Sequence, residues 1–273
     1  MKRSSKLALQ SALVGTAGLT TTYLAARAVQ NAYRFEITRH RRRLPKLKQL
    51  LRVVHLSDLH TGPFIGYDAV REWVDAANAQ APDLIVVTGD FVDQWFGRDL
   101  EGLAQVLLEL RAPLGVWGVW GNHDHARFAD LGRLESTLNR AGIHILNNRG
   151  VRLRDDLFLA GVDDLQRGAP NVTDALRSRP QDAACLLLAH NPDFIPHVPQ
   201  EVALTLCGHT HGGQIRLPGV GAVFTSSEHG QRFASDWVDE PMLGYVSRGL
   251  GTVIFPARLG CPAELAVFDL LPS

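Results

Sequence analysis

The sequence has few cysteines, and this scarcity narrows the class of protein. Its three cysteines, Cys185, Cys207 and Cys261, are too few and too scattered for a disulfide framework. Cys185 and Cys207 fall in apolar runs, so we expect them to be buried thiols. With 45% hydrophobic and 21% charged residues, the composition is that of a globular protein, which excludes a globally disordered chain.

The sequence also lacks a net charge, but the balance hides an uneven distribution. Residues 1–50 hold 11 of the 28 Lys and Arg residues and only one of the 28 acids, so the rest of the chain carries 17 bases and 27 acids. A body with a net charge of −10 repels a polyanion. The charge pattern therefore disfavours nucleic acid as a partner.

Charge is missing altogether from residues 7–26, a stretch long enough to span a bilayer as a helix. Several Ser, Thr and Gln residues make it only mildly hydrophobic. Three interpretations stay open: an uncleaved membrane anchor, which we favour, a cleaved signal peptide of an exported protein, and a surface-lying or soluble helix.

The charges that flank this stretch predict an orientation. More Lys and Arg residues follow it than precede it, so the positive-inside rule puts the folded body on the cytoplasmic side of the inner membrane. The basic run at residues 39–43 is expected to be a tether that attracts anionic lipid headgroups; the alternative is a solvated linker. We divide the chain into an anchor or signal segment with a basic tether at 1–48 and one folded domain at 49–273.

The folded domain opens with apolar runs that alternate with segments of helical spacing. Predicted strands at 50–56, 83–88 and 113–120 are separated by predicted helices at 67–80 and 98–111. This order is typical of a parallel sheet with crossover helices.

Shorter apolar runs follow in the second half, and the tail adds three strand-like runs, at 243–247, 252–255 and 264–270. No repeat or linker interrupts the domain. We therefore predict an α/β fold, a four-layer α/β/β/α sandwich of two facing mixed β-sheets flanked by helices. A hydrophobic N-terminal helix would precede it.

Polar side chains that suit metal binding follow the predicted strands. They are Asp58, His60, Asp90, Asp93, Asn122, His123, His190, His209 and His211. The tips of parallel strands are where α/β sheets place their ligands. Mixed His, Asp and Asn ligands suit Mn²⁺, Fe²⁺ or Zn²⁺ and match Ca²⁺ poorly. So many donors exceed the needs of one tetrahedral ion, which favours two adjacent ions.

The order of these clusters resembles that of the calcineurin-like metallophosphoesterases. Five motifs carry the resemblance: Asp58-x-His60, Gly89-Asp90-x-x-Asp93, Gly121-Asn122-His123-Asp124, His190 and Gly208-His209-x-His211. The resemblance implies the family fold of two facing sheets and a dinuclear, metal-dependent phosphoesterase. Such an enzyme hydrolyses phosphodiester or pyrophosphate bonds by attack of a hydroxide that bridges two divalent ions, with manganese favoured and iron or zinc as alternatives.

The resemblance also implies a role for each residue. Asp58, His60 and His211 would hold one ion, and Asp90 would bridge the pair. Asn122, His190 and His209 would hold the other ion.

Two further residues would act on the substrate without binding metal. The resemblance makes His123 the catalytic residue that stabilises the phosphoryl charge and protonates the leaving oxygen. Asp93 would orient and charge the His123 imidazole.

Other stretches resemble a membrane-associated bacterial branch of the superfamily, in particular His190-Asn-Pro-Asp193 and Gly208-His-Thr-His-Gly-Gly-Gln214. The resemblance implies a lipid-linked substrate such as UDP-2,3-diacylglucosamine. Arg248 and Arg258 would contact its phosphate groups or, equally, form structural salt bridges. No protein partner is implied.

Two other functions stay open from the sequence. A nuclease or general phosphatase of the same superfamily is the first, although Gln94 stands where phosphoprotein phosphatases carry a phosphate-binding arginine. A non-catalytic module that binds a membrane surface is the second, and intact His123 and Asp93 speak against it.

Overall fold

The computed structural model describes residues 21–97 and 99–273, and in this part of the chain the strands form two six-stranded sheets and a two-stranded hairpin. Residues 21–32 are helical (α1). The described residues include no helix long and apolar enough to cross a membrane. Residues 7–20 of the uncharged stretch, and with them most of the predicted N-terminal hydrophobic helix, lie outside the described residues.

The first sheet contains the early strands and the last one. Its order is β1 (Phe35–Leu44), β14 (Ala263–Pro272), β2 (Leu51–Leu56), β3 (Leu84–Thr88), β4 (Val116–Val119) and β5 (Ile143–Ile145). Strands β2 to β5 are parallel, as expected for strands joined by crossover helices. The connecting helices are α2 (Tyr67–Asn78), α3 (Leu100–Leu107), α4 (Asn122–Arg127) and α5 (Gly132–Arg140).

The second sheet faces the first. Its order is β12 (Asp236–Val238), β13 (Gly244–Val246), β9 (Leu204–Cys207), β8 (Ala184–Leu188), β7 (Leu157–Gly161) and β6 (Arg149–Arg154). The four central strands are parallel and both edge strands are antiparallel. This half also contains α6 (Val172–Leu176), the hairpin of β10 (Arg216–Leu217) and β11 (Gly221–Ala222), and 3-10 turns at Pro192–His197, His211–Gly213 and Gly230–Phe233.

Apolar side chains fill the space between the sheets. Residues of both sheets, such as Val53, Val86, Leu186 and Phe268, belong to this core and are fully buried. A second apolar cluster packs α2, α3 and α5 on the outer face of the first sheet. The predicted α/β/β/α architecture is therefore confirmed. The three cysteines are buried thiols, as expected for two of them from the apolar runs in which they lie.

The basic run that we interpreted as a tether is a strand of the first sheet. Strand β1 pairs in parallel with β14 along its whole length, from Phe35 with Ala263 to Leu44 with Pro272. The Arg42 guanidinium lies 4.4 Å from the Trp237 ring centroid, and Arg43 donates a hydrogen bond to the Pro272 carbonyl. The boundary at residue 49 is therefore too late. Charge hid this strand because an edge strand keeps a solvated face, and charges there also prevent edge-to-edge aggregation.

The apolar run predicted as a strand at residues 252–255 is a loop. Ile254 has a left-handed backbone (φ 66°), which ends regular pairing. The Gln214 side chain holds the loop by accepting from the Val253 N–H (2.7 Å) and donating to its carbonyl (3.2 Å).

Two deletion variants test whether β1 is part of the folded domain and the sequence before it is not. Removing residues 1–48 takes away β1 and the buried Leu44 and Leu47, whose burial contributes about 1.5–3 kcal/mol each. We expect the melting temperature to fall by about 10 °C or more. Removing residues 1–20 should leave it unchanged, and equal melting temperatures for both deletions would contradict the assignment of β1.

Candidate active site

The predicted polar clusters meet at one end of the sandwich, where the carboxyl ends of the parallel strands of both sheets converge. Asp58 and His60 follow β2, Asp90 follows β3, and Asn122 begins α4 just after β4. His190 follows β8, and both His209 and His211 follow β9. Loops at the strand ends of two different sheets thus build one site.

The backbone at this site is forced into an unusual conformation. Five of the predicted ligands have left-handed φ angles between 45° and 72°: Asp58, His60, Asp90, His209 and His211. Residues with a side chain avoid this region, and each such residue costs about 1–3 kcal/mol. Strain concentrated on one set of polar residues is a mark of a functional site.

The first group of donor atoms consists of Asp58 Oδ1, His60 Nε2 and His211 Nε2. The two imidazole nitrogens are 3.0 Å apart. Asp58 Oδ1 lies 3.4 Å from the His211 nitrogen and 4.0 Å from the His60 nitrogen. All three side chains are buried.

The second group of donor atoms consists of Asn122 Oδ1, His190 Nε2 and His209 Nδ1. The amide oxygen is 3.0 Å from each nitrogen, and the nitrogens are 3.2 Å apart. Asp90 lies between the two groups, with Oδ2 3.3 Å from both His60 Nε2 and His190 Nε2.

These spacings fit metal ions. Ligands about 2.0–2.2 Å from one ion, at angles between square and tetrahedral, lie roughly 3.0–3.5 Å from each other. Most of the measured separations fall in that range. The imidazoles, carboxylates and amide are also donors of the kind that borderline divalent ions take. The residues therefore fit a dinuclear divalent metal site that shares Asp90.

Other groups hold the ring nitrogens on the far side of two histidines. His190 Nδ1 donates to the Thr88 carbonyl at 2.7 Å, which leaves Nε2 free as a ligand. His209 Nε2 lies 3.2 Å from the side-chain amide of Gln166. Such partners orient a metal-binding imidazole. Gln166 carries no motif signal, and only the folding of the loop after β7 brings it here.

Buried carboxylates also fix the loops that carry the ligands. Asp58 accepts from the His209 N–H and from Ser57 Oγ. Asp124 accepts from the N–H groups of Val92 and Gly121, and so ties the loop after β3 to the loop after β4. Burial raises the pKa of Asp124 to about 7. Asp124 closes one of the motifs, but the motif alone does not assign it this role.

The four histidines of the two donor groups differ in pKa: two have raised values and two have lowered values. Burial alone would lower the pKa of His60, but Asp90, Asp93 and Asp58 raise it to about 9. Asp90 likewise raises the pKa of His190 well above its usual value against the effect of burial. Burial and the neighbouring His190 lower the pKa of His209 to about 3, and burial holds the pKa of His211 well below its usual range.

His123 and Asp93 lie beside the donor groups. The backbone N–H of His123 donates to Asp90 Oδ1 at 2.8 Å. Asp93 Oδ2 lies 3.7 Å from His123 Nδ1 and 3.5 Å from His60 Nδ1. Its negative charge therefore acts on both imidazole rings. His123 Nδ1 accepts from the Gln94 N–H at 3.4 Å. Burial lowers the pKa of His123 to about 4, against the opposing effect of the two carboxylates.

A cavity of about 540 Å³ opens above these residues. Asp90, Asn122, His123, His209 and His211 form its polar floor. Its upper wall is largely apolar and consists of Trp95, Ile215, Val223, Phe224, Val253, Ile254 and Phe255. The described lining residues include no Lys or Arg.

Neither of the predicted phosphate-binding arginines lines this cavity. Arg258 is fully buried, and its guanidinium donates to the carbonyls of Arg248, Gly249 and Gly251. Arg248 pairs with Glu36 and Glu264. Arg248 therefore makes salt bridges of the kind given as the alternative, whereas Arg258 makes hydrogen bonds to backbone carbonyls and no salt bridge among the described residues. Both hold the loop after β13. No charge pattern in the sequence distinguishes that role from phosphate binding.

Comparison with known proteins agrees with this geometry. The family model of the calcineurin-like phosphoesterases matches residues 51–213. An uncharacterized metallophosphoesterase, YkuE of Bacillus subtilis (strain 168), is 30% identical over 226 residues, which cover 80% of this chain and 78% of the relative.

Two further relatives carry more specific names. Phosphodiesterase YaeI of Escherichia coli (strain K12) is 31% identical over 246 residues, covering 87% of this chain and 88% of the relative. A transmembrane protein with a metallophosphoesterase domain from Bos taurus is 31% identical over 290 residues, covering 97% of this chain and 63% of the relative.

A glycine variant tests whether close backbone approach builds the site. A Cβ at Gly121 would overlap both Asp90 Oδ1 and the Asp90 backbone nitrogen. We expect Gly121→Ala to displace Asp90 and weaken metal binding about 10–100-fold, measured by metal analysis after dialysis against limiting Mn²⁺. Gly97→Ala is the matched control, because its nearest neighbour would be 3.9 Å away. Equal metal content in both variants would refute the role of Gly121.

Metal affinity should depend on pH. In the metal-free protein His60 and His190 have raised pKa values and hold a proton at neutral pH, so each ion must displace one proton. Affinity should therefore rise about tenfold per pH unit. For His60 this rise should end near its pKa of about 9. Calorimetric titration with Mn²⁺ between mildly acid and alkaline pH measures how the affinity changes with pH. An affinity that does not change with pH would contradict the prediction.

Proposed function

Because this chain belongs to the calcineurin-like phosphoesterase family, we propose that this metal-dependent phosphoester hydrolase cleaves phosphodiester or pyrophosphate bonds at two ions. One observation carries the proposal: donor side chains from both sheets converge on either side of Asp90, with donor atoms 3.0–4.0 Å apart. In this proposal Asp58, His60 and His211 hold one ion. Asn122, His190 and His209 hold the other, and Asp90 is shared. Manganese is the favoured ion, with iron and zinc as alternatives.

Bound there, two divalent ions supply an activated water and the positive charge that a phosphoryl group needs as it reacts. The protein itself positions the groups that would bind the ions and the substrate. Backbone N–H groups hold the Asp90 and Asp58 carboxylates in place, so that a bound phosphoryl oxygen meets a prearranged site.

His123 is the proposed acid. Its ring lines the cavity next to Asp90, and the Gln94 N–H occupies Nδ1, so the ring proton is left on Nε2. From there the neutral ring would donate a hydrogen bond to a phosphoryl oxygen. To protonate the leaving oxygen, the ring must first take up a second proton from solvent, and it returns to the neutral form when it gives that proton away. Asp93 orients the ring and stabilises its charged form once a proton arrives.

The cavity supports an amphiphilic substrate. A metal-binding floor suits a phosphate or pyrophosphate, and the apolar wall suits an acyl group. We propose a lipid-linked substrate such as UDP-2,3-diacylglucosamine. The name of the Escherichia coli relative supports diester cleavage, and that of the Bos taurus relative supports a membrane setting.

We also propose that the N-terminal segment anchors the protein at the inner membrane, with the catalytic body on the cytoplasmic side; export is the alternative. A nuclease is the less favoured activity, because Lys and Arg do not occur among the described residues of the cavity wall and the body is acidic. A non-catalytic membrane-surface module would bind metal without turnover.

A leaving-group series tests the role of His123. We expect His123→Ala to lower kcat by about 10²–10⁴-fold on a diester with an alkyl leaving group, which needs protonation. The loss should be much smaller on bis(p-nitrophenyl) phosphate, whose leaving group departs as the anion. Metal content should stay at the wild-type value.

The matched control is His197→Ala, which removes an exposed histidine outside the motifs. An equal loss on both substrates would show that His123 positions the substrate and is not the acid. Wild-type protein with full metal and no turnover on any ester would favour the binding module.

A further inference from the structure

Exposed apolar side chains line the mouth of the cavity and continue onto the β10–β11 hairpin beside it. Val220, Phe224 and Ile254 are 65%, 71% and 68% exposed. We call the group the apolar rim; its members are Leu217, Val220, Val223, Phe224, Ile254 and Phe255. A contiguous apolar surface beside a functional cavity marks a surface that binds something.

The apolar rim is a single fixed surface, although its residues come from two separate segments. The β10–β11 hairpin and the residues just after it carry four of them, and the 253–255 loop carries two. Gln214 joins the segments through its hydrogen bonds to Val253, and the Arg216 N–H donates to the Leu259 carbonyl at 2.7 Å. The Val223 N–H donates to the Ile215 carbonyl, which holds the residues after the hairpin in place.

Helix α1 contacts the loop that continues from this surface. The Arg258 N–H donates to the Ala28 carbonyl at 2.8 Å, and the described residues of α1 bury only Ala28 and Ala32 against the body. Around them the N-terminal segment exposes apolar side chains: Tyr23, Leu24, Val29 and Tyr33. The sequence that leads into α1 is uncharged from residue 7 onwards.

We propose that the apolar rim docks on a phospholipid bilayer, with the cavity mouth facing the membrane. The rim residues carry no charge, and α1 carries the pair Tyr23 and Arg27, an aromatic and a cation of the kind that settle at a membrane interface. The uncharged stretch of the same chain would hold this face near lipid. The basic strand β1 is not needed, because Arg41 to Arg43 lie toward the strand end that pairs with Pro272, away from the site.

Docking in this orientation gives the rim a part in substrate selection. A phosphoester in the bilayer interface could enter the cavity without crossing water, while its acyl chains stay among the rim residues. This consequence rests on the proposed function. The docking itself rests on the exposed surface, on its position beside α1 with Tyr23 and Arg27, and on the uncharged sequence that leads into this helix.

An environment-sensitive fluorophore tests the docking on the full chain. Val220→Cys places a thiol at the hairpin tip, outside the cavity wall, and the three native cysteines are buried and so resist labelling. Leu108→Cys is the matched control, a similarly exposed apolar position after α3. Both proteins are labelled with nitrobenzoxadiazole and mixed with phosphatidylethanolamine vesicles that contain some phosphatidylglycerol.

We expect the emission of the label at position 220 to rise about threefold and to be quenched by nitroxide groups on the lipid acyl chains, with neither change at position 108. Vesicle-bound protein whose label at position 220 is not quenched would overturn the proposal, since the N-terminal segment alone would then bind the protein to the membrane. A rise at 220 that depends on protein concentration without lipid would overturn it in favour of a second copy of the chain.

The same samples separate this proposal from the proposed function. Mn²⁺-dependent hydrolysis of soluble bis(p-nitrophenyl) phosphate should match that of the unlabelled protein, which also shows that the variants fold. Quenching at 220, with no hydrolysis by the labelled variants or by the wild-type protein, would refute the catalytic proposal and support docking. Hydrolysis without quenching would refute docking alone.

Discussion

The structure depends on the close packing of imidazole, carboxylate and amide side chains at the ends of its parallel strands. His60 Nε2 and His211 Nε2 face each other at 3.0 Å, and buried carboxylates lie beside them. Burial of so many polar groups is unfavourable, and the left-handed backbone at Asp58, Asp90 and their neighbours adds strain. Positive charge from bound ions is the natural compensation. Metal binding would then stabilise the fold as well as supply the chemistry.

The sandwich can maintain this strain because it holds the strand ends rigidly. The core between the sheets fixes β2, β3, β8 and β9 relative to each other, so ligands from both sheets stay in register. A second layer of polar contacts then locks the loops. Asp124 joins two of them, and the buried Arg258 donates to carbonyls of the loop whose Gly251 N–H donates to the Asp58 carbonyl. Removing Asp124 would disturb the site through these loops alone, whereas removing Arg258 would also take away its contacts with the His211 carbonyl and with His211 Nδ1, each at 3.4 Å.

Much of this arrangement could be predicted from the sequence. Apolar runs that end in Asp, His or Asn identify strand tips, and strand tips of one sheet must meet, so Asp58 and Asp90 were predictable as neighbours. The sequence could not reveal β1, because a charged edge strand has the pattern of a solvated linker. It could not assign Arg258 either, since a buried arginine that binds carbonyls and one that binds phosphate look alike in one chain. Gln166 depends on a loop conformation that only tertiary contacts determine.

The most direct test of the account is the position of the metal ions. Crystals of the full chain grown with Mn²⁺ and measured at the manganese absorption edge would give an anomalous map of the site. The account predicts two peaks about 3.5–4 Å apart, with Asp90 between them, one beside Asp58 and His211 and the other beside Asn122 and His209. A single peak, or two peaks that do not share Asp90, would contradict it.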